Sequence, residues 1–137
     1  MYPSFISSTE KIKAAIAWSV WEGAISKLIP DAPEELKHNE EQFALAFARI
    51  ENHYFTNKGF FPRDGFLLEK ANLDKIRHIP VSIVQGRYDV VCPAVSAHHL
   101  HKALPHSELT YTLTGHSGME TEIIEHLVKA TEKYKNR

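Results

Sequence analysis

The spacing of hydrophobic positions predicts two amphipathic helices in the first part of the chain. From Ser8 to Leu28, small and apolar residues recur every three or four positions and share one helical face: Ile12, Ala15, Ile16, Ser19, Val20 and Gly23. Ser8 or Thr9 is expected to cap the start of this helix. A second helix is predicted from Glu34 to Asn57, with an acidic beginning and an apolar face formed by Phe43, Phe47, Ile50 and Tyr54.

The pattern changes after Ile79. The run from Val81 to Gln85 is short, rich in β-branched residues and ended by Gly86, which is typical of a buried parallel strand. Three further elements are predicted: a helix from Pro93 to Leu104, a strand from Glu108 to Leu113 and a helix from Met119 to Tyr134. The alternation of strand and helix indicates an α/β fold with parallel strands.

Two strands are too few for a stable open sheet. The pattern therefore predicts the last two strands of a larger α/β domain, with their flanking helices, in residues 79–137. Residues 1–78 are predicted to be a helical portion that precedes them.

Composition and charge exclude several classes of partner. The 137 residues carry 16 Lys and Arg against 17 Asp and Glu, so electrostatics favour neither nucleic acid nor an anionic membrane as partner. The single cysteine, Cys92, cannot form an internal disulfide, and no Cys/His spacing typical of zinc is present. The first eight residues lack the features of a signal peptide. A reducing, cytoplasmic location is expected.

An acid and a histidine follow the two predicted strands, where open α/β sheets place functional side chains. Asp89 follows the first strand and His116 the second. A buried carboxylate can accept the imidazole Nδ1–H and stabilise the imidazolium that forms when the other nitrogen takes a proton. The order Asp before His is that of the last two triad members in α/β hydrolases. Both residue types are also common in turns and caps, which is the structural alternative.

The sequence offers no nucleophile in the expected setting. None of its six glycines belongs to a Gly-x-Ser-x-Gly motif, and no glycine-rich oxyanion or phosphate loop is present. Ser117 is expected to be an ordinary loop serine. Cys92 is a candidate thiol nucleophile, although a lone cysteine is more usually a buried apolar residue or a pocket wall.

No metal site or cofactor is predicted. Three histidines, His98, His99 and His101, are close in sequence, but on a helix only residues three or four apart face each other. The remaining histidines, among them His38, are scattered and are expected to lie on the surface.

Four segments of the sequence resemble those of a known enzyme family. They are Trp18–Gly23, Phe43–Phe55, Gly86–Asp89 and Gly115–Ser117. In this order they are similar to segments of the prolyl aminopeptidases, or proline iminopeptidases, which are serine α/β hydrolases with a helical cap. The resemblance implies cap helices in residues 1–78 and the C-terminal part of the α/β-hydrolase core in residues 79–137. It leaves out the N-terminal half, with the oxyanion loop and the nucleophilic serine.

The resemblance also implies roles for individual residues. Asp89 would orient the catalytic histidine, and His116 would be the general base and acid. Glu22 and Glu51, on the two cap helices, would bind the free α-ammonium group of the substrate, since two carboxylates on one cation recognise both its charge and its position. Phe55, one turn after Glu51, would line an apolar slot for the pyrrolidine ring.

Cys92 falls where the family tends to place a pocket residue, which implies inhibition by thiol reagents. Without the resemblance, Glu22 and Glu51 would be solvated carboxylates on helix surfaces. Phe55, together with Trp18 and Trp21, would then be a packing residue.

The complete enzyme implied by the resemblance releases N-terminal proline through acyl transfer to serine, and this chain alone is predicted to be inactive. Its expected partners are peptides with an N-terminal proline and the missing N-terminal half. Two alternatives stay open. One is a non-catalytic relic or binding module that self-associates through its open sheet edge, and the other is a related α/β hydrolase with another acyl substrate.

Overall fold

The computed structural model describes residues 7–30 and 37–135. Its helices and strands, in chain order, are α1 (Ser8–Ser26), α2 (Glu41–Thr56), α3 (Lys70–Ile76), β1 (Ser82–Gly86), α4 (Ala94–Ala103), β2 (Glu108–Thr112) and α5 (Thr121–Tyr134). Short 3₁₀ turns occur at Lys58–Phe60 and Phe66–Leu68. Among the described residues, no helix is long and apolar enough to cross a membrane.

The chain divides into two compact units. The first contains the described residues up to Ile25 and those from Pro30 to Phe61, and the second contains Ser26–Ile29 and the described residues from Pro62 onward. Residues 62–78 therefore pack with the strand-containing unit. The division into a cap portion (residues 1–78) and a core portion (residues 79–137) stays a prediction.

Helix α1 begins at a capping box formed by Ser7 and Glu10. The Glu10 backbone N–H donates to Ser7 Oγ (3.2 Å), and the Ser7 backbone N–H donates to Glu10 Oε2 (2.8 Å). These bonds from Ser7 lower the pKa of the Glu10 carboxyl. The expectation that Ser8 or Thr9 caps the helix was wrong by one or two positions, because only Ser7 has a glutamate three residues later. The predicted inner face is confirmed by the buried residues Ala15, Ser19 and Gly23.

The buried side chain of His38 packs against this inner face. Its Nδ1 lies 2.8 Å from Ser19 Oγ, and its ring covers Gly23 so closely that an added Cβ would come within 2.6 Å of His38 Cδ2. The rings of Phe43 and Phe47 meet the His38 ring edge-on. The expectation that His38 lies on the surface was therefore wrong. Gly23, one turn after Ser19, has no side chain and so leaves room for the imidazole.

A continuous helix from Glu34 to Asn57 is also not found. Residues 34–36 lie outside the described residues, and residues 37–39 are helical, but the backbone is extended at Glu40 (φ −68°, ψ 125°). Helix α2 begins only at Glu41. Phe43 and Phe47 are half-buried as predicted, whereas Ile50 and Tyr54 are exposed.

The two strands pair in parallel through the crossover helix α4, with Ser82 opposite Glu108 and Gly86 opposite Thr112. Both strands begin and end within one residue of their predicted bounds. This arrangement of two parallel strands and flanking helices is that of the C-terminal part of an α/β-hydrolase fold, and it confirms the predicted fold class. The carboxyl ends of both strands lie at the same edge of the sheet, where Asp89 and His116 follow.

Candidate functional site

Asp89 lies three residues beyond β1, and its carboxylate is held by four donors. Oδ1 accepts the backbone N–H groups of Val91 (3.0 Å) and Cys92 (2.7 Å). Oδ2 accepts from Gln85 Nε2 (3.1 Å) and lies 3.1 Å from His116 Nδ1. The side chain is only 6% exposed. Its four hydrogen bonds therefore take the place of the water molecules that the carboxylate loses on burial.

His116 lies four residues beyond β2, and its side chain is 38% exposed. An ionised carboxylate can only accept hydrogen bonds, so the 3.1 Å contact with Asp89 requires the proton on His116 Nδ1. Nε2 then carries a lone pair. The buried Asp89 carboxylate therefore fixes the tautomer of the imidazole and leaves Nε2 able to accept a proton. This is the geometry of a general base.

The loop that carries His116 is anchored through its backbone. The Ser26 carbonyl oxygen accepts the N–H groups of His116 (2.8 Å) and Ser117 (2.6 Å). The Glu120 carboxylate, just before α5, accepts the Gly115 N–H at one oxygen (2.7 Å) and the Leu28 N–H at the other (3.2 Å). Residues 26–29 and Glu120 thus hold the histidine loop from two directions.

In the first compact unit, Glu51 is paired with a tryptophan. The indole N–H of Trp18 on α1 donates to Glu51 Oε2 on α2 at 2.5 Å. The Trp18 ring also meets Trp21 (centroids 5.5 Å apart) and the edge of Phe55 (6.3 Å). A carboxylate and three aromatic rings therefore lie together. Glu22, one turn beyond Trp18 on α1, is half-buried.

Phe55 is exposed and lines a groove of about 830 Å³ between α1 and α2. Trp18 and small residues of both helices, among them Ala15 and Ala48, form its walls. An apolar slot beside Phe55 is what the resemblance implies, but whether it takes a pyrrolidine ring stays a prediction.

The remaining candidate, Cys92, belongs to the second unit together with Asp89 and His116. It is exposed, unlike the buried residue that a lone cysteine more usually is. Its backbone contacts two residues of the site. Its N–H donates to Asp89 Oδ1, and its carbonyl oxygen lies 3.2 Å from Gln85 Nε2. Among residues 7–30 and 37–135, no three His, Cys, Asp or Glu side chains are grouped so that they could hold a metal ion.

Three contributors to these sites were missed in the sequence. Gln85 touches Asp89, Glu120 holds the loop of His116, and Trp18 binds Glu51. One signal was available for Gln85, which is the only long polar side chain in an otherwise small and apolar strand. Nothing in the sequence distinguishes Glu120 from the other acidic residues near the start of α5.

Comparison with known proteins gives this geometry a context. No family model matches the chain. The chain is 57% identical over 122 residues to a probable proline iminopeptidase of Leptolyngbya boryana, covering 88% of this chain and 37% of that protein. It is 54% identical to the proline iminopeptidase of Arabidopsis thaliana (89% and 32%) and 51% identical to that of Xanthomonas citri (90% and 39%). The chain belongs to the proline iminopeptidase family.

This confirms the resemblance on which the residue roles were predicted. The chain spans about a third of the length of the curated proline iminopeptidases that it matches, and it corresponds to their C-terminal part.

Proposed function

We propose that this chain supplies the acid–base pair and part of the substrate-binding cap of a prolyl aminopeptidase. One observation carries the proposal. His116 Nδ1 is hydrogen-bonded to the buried Asp89 carboxylate at the carboxyl edge of the sheet, in a chain of the proline iminopeptidase family. The nucleophilic serine and the oxyanion loop would come from the part of the enzyme that this sequence does not include.

In the proposed reaction, His116 Nε2 takes the proton of the serine hydroxyl as the serine oxygen attacks the carbonyl carbon of the N-terminal prolyl residue. The imidazolium then gives this proton to the leaving amine, which breaks the peptide bond and leaves a prolyl-serine ester. His116 next removes a proton from water as the water oxygen attacks the ester carbonyl. The imidazolium then returns a proton to the serine oxygen as the ester C–O bond breaks, which releases proline and restores the serine hydroxyl. Asp89 stays ionised throughout and stabilises the imidazolium.

Selectivity would come from the cap residues. Glu22 and Glu51 would bind the free ammonium group of the prolyl residue, and Phe55 would contact its ring. Support for Glu51 is its fixed position, since the Trp18 indole N–H occupies Oε2 and leaves Oε1 for a substrate cation. Cys92 is proposed as a residue of the pocket near Asp89.

A chimera tests this proposal directly. The 122 matched residues of the Leptolyngbya boryana relative would be replaced by those of this chain, so that the rest of that protein supplies the missing half. We expect the chimera to hydrolyse a proline arylamide, and we expect the isolated 137-residue chain to show no activity. Proline arylamide hydrolysis by the isolated chain, or none by a folded chimera, would contradict the proposal.

Single variants of the chimera test the residue roles. Asp89→Asn and His116→Ala are expected to lower kcat by roughly 10⁴-fold, the loss that removal of one triad member typically causes. His99→Ala, an exposed histidine on α4, is the matched control and should leave the rate unchanged.

Glu22→Gln and Glu51→Gln distinguish a prolyl aminopeptidase from a hydrolase with another acyl substrate. These variants should lose activity on substrates with a free N-terminus and retain cleavage of a neutral ester. An equal loss on both substrates would speak against an ammonium-binding role.

Self-association is the second candidate function, and the sheet favours it. Among the described residues the sheet has two strands, so each strand has one edge without a strand partner. Tyr111 on β2 and Leu113 just beyond it are exposed apolar side chains. A dimer of the isolated chain in sedimentation velocity, weakened by Leu113→Lys, would support self-association, and a monomer at micromolar concentrations would exclude it.

The cytoplasmic location stays a prediction from the single cysteine.

A further inference from the structure

Gln85 is a polar side chain inside the sheet that the proposed reaction does not use. It lies on β1, opposite Tyr111 in the parallel register, and is half-buried. Its Nε2 atom is 3.1 Å from Asp89 Oδ2, the same oxygen that accepts the proton of His116 Nδ1. One carboxylate oxygen is therefore shared between the histidine and a glutamine from the strand.

The glutamine amide is itself held in place. Nε2 also lies 3.2 Å from the carbonyl oxygens of Gly86 and Cys92. The amide nitrogen has two hydrogens, so it can donate one to Asp89 and the other to these carbonyls. Because Gln85 is part of a paired strand, the donor that reaches Asp89 is fixed by the sheet rather than by a loop.

This contact completes the orientation of the carboxylate. The backbone N–H groups of Val91 and Cys92 hold Oδ1, but the torsion that sets the plane of an Asp carboxylate is broad and weakly restrained by itself. A second donor on Oδ2 restricts that torsion. Since the glutamine amide is neutral, it orients Asp89 without cancelling the negative charge that stabilises a protonated His116.

We propose that Gln85 is a positioning residue that orients the Asp89 carboxylate and thereby holds His116 in the Nδ1–H tautomer. The proposal deepens the proposed function and rests on it only for the catalytic meaning of the Asp89–His116 pair. The contact and its effect on the imidazole can be measured in the isolated chain without any enzymatic activity.

The experiment records the ¹⁵N chemical shifts of the His116 ring in the full 137-residue chain at a pH where the imidazole is neutral. In the unmodified chain, the shifts should show Nδ1 protonated. Gln85→Met keeps the length of the side chain and removes the donor, so the Nδ1–H population should fall severalfold. Gln42→Met, at an exposed position of α2, is the matched control and should leave the His116 shifts unchanged.

Folding of each variant is checked by the backbone amide signals of Gly86 and Thr112, which lie opposite each other in the sheet. If Gln85→Met does not fold, Gln85→Asn is used, because it keeps the amide on a side chain too short to reach Asp89. An unchanged tautomer in a folded Gln85 variant would overturn the proposal. Failure of both Gln85 variants to fold, with Gln42→Met folded, would also overturn it in favour of a structural role.

Activity of the chimera separates this proposal from the proposed function. Gln85→Met should lower kcat by roughly tenfold or more with little change in KM, as expected for the loss of one hydrogen bond to a charged group. If Gln85→Met changes the tautomer in the isolated chain but the chimera without this substitution is inactive, Gln85 keeps its positioning role and the peptidase function is contradicted. Full activity with an unchanged tautomer would contradict only the role of Gln85.

Discussion

A methyl group on Gly86 would lie 1.8 Å from the carbonyl oxygen of Gly115. Gly86 ends the strand before Asp89, and Gly115 directly precedes His116. The backbones of the two loops therefore meet at a distance that only a residue without a side chain allows. This close approach accompanies the 3.1 Å contact between His116 Nδ1 and Asp89 Oδ2.

Gly86→Ala should therefore destabilise the chain strongly. The added carbon would collide with backbone rather than with a movable side chain, so the strand end and the histidine loop would have to separate. We expect a loss of at least about 1–3 kcal/mol in the free energy of unfolding, the usual cost of overpacking, measured by urea denaturation. Gly118→Ala is the control, because no atom of the described residues other than its chain neighbours lies within 4 Å of the position of its added Cβ. Equal stability of the two variants would contradict the close approach.

Glu120→Gln should loosen the histidine loop without unfolding the chain. The carboxylate accepts the Gly115 and Leu28 N–H groups at separate oxygens, and an amide offers only one oxygen. We expect the Gly115 amide hydrogen to exchange roughly tenfold faster, because a hydrogen bond to a charged group is weakened. Glu125→Gln, on an exposed position of α5, should not change the exchange rate. Unchanged Gly115 exchange in Glu120→Ala would show that the loop is held by other contacts.

Ser7→Ala should destabilise α1 by about 1 kcal/mol at neutral pH, because the bond from the Glu10 backbone N–H to Ser7 Oγ is lost. The backbone N–H of residue 7 still donates to Glu10 Oε2 in this variant. The pKa of Glu10 is lowered by these bonds to Ser7. The contribution of the ionised carboxyl is thus fully present above the ordinary pKa of a glutamate and is lost as the pH falls through the lowered value. The Ser7 hydroxyl is the second of the two groups that lower this pKa, so the difference in urea midpoint between the unmodified chain and Ser7→Ala should narrow in part at acid pH. Ser8→Ala is the control, and a larger effect from it would contradict the assigned cap.

Trp18→Phe should weaken the contact between helices α1 and α2. Phenylalanine keeps an aromatic ring beside Trp21 and Phe55 but cannot donate to Glu51. We expect a loss of roughly 1 kcal/mol in the free energy of unfolding, the typical net value of one hydrogen bond, followed by far-ultraviolet circular dichroism. Trp21→Phe, at a more exposed ring, is the matched control with a smaller expected loss. Equal losses would indicate that ring packing, and not the indole N–H, joins the helices.

Hydrophobic spacing was sufficient to predict most of the fold. It located β1, α4 and β2 within one residue at each end, and α5 within two at its start, because a buried parallel strand and an amphipathic helix leave different periods in the sequence. It failed at Glu40, where the backbone becomes extended between two helical stretches that share one pattern. In this region His38 packs on Gly23, a tertiary contact about which periodicity carries no information.

The candidate site was predictable only for residues that follow the strands. Asp89 and His116 were found from their positions, because parallel strands bring their carboxyl ends to the same edge. Gln85 and Glu120 act through single hydrogen bonds whose partners are far away in sequence or are backbone atoms. Such contacts depend on side-chain rotamers and loop paths, so a sequence without a structure does not reveal them.

Only 27 positions along the chain separate Asp89 from His116, and one strand–helix–strand unit joins them. A loop of this length costs little entropy to close, and each doubling of its length would add only about 0.6 kcal/mol. One strand–helix–strand unit therefore brings the two residues together, and the backbone of residues 26–29 adds a distant anchor for the histidine loop. In the proposed enzyme, the serine would therefore need to meet only a base that this one unit has already oriented.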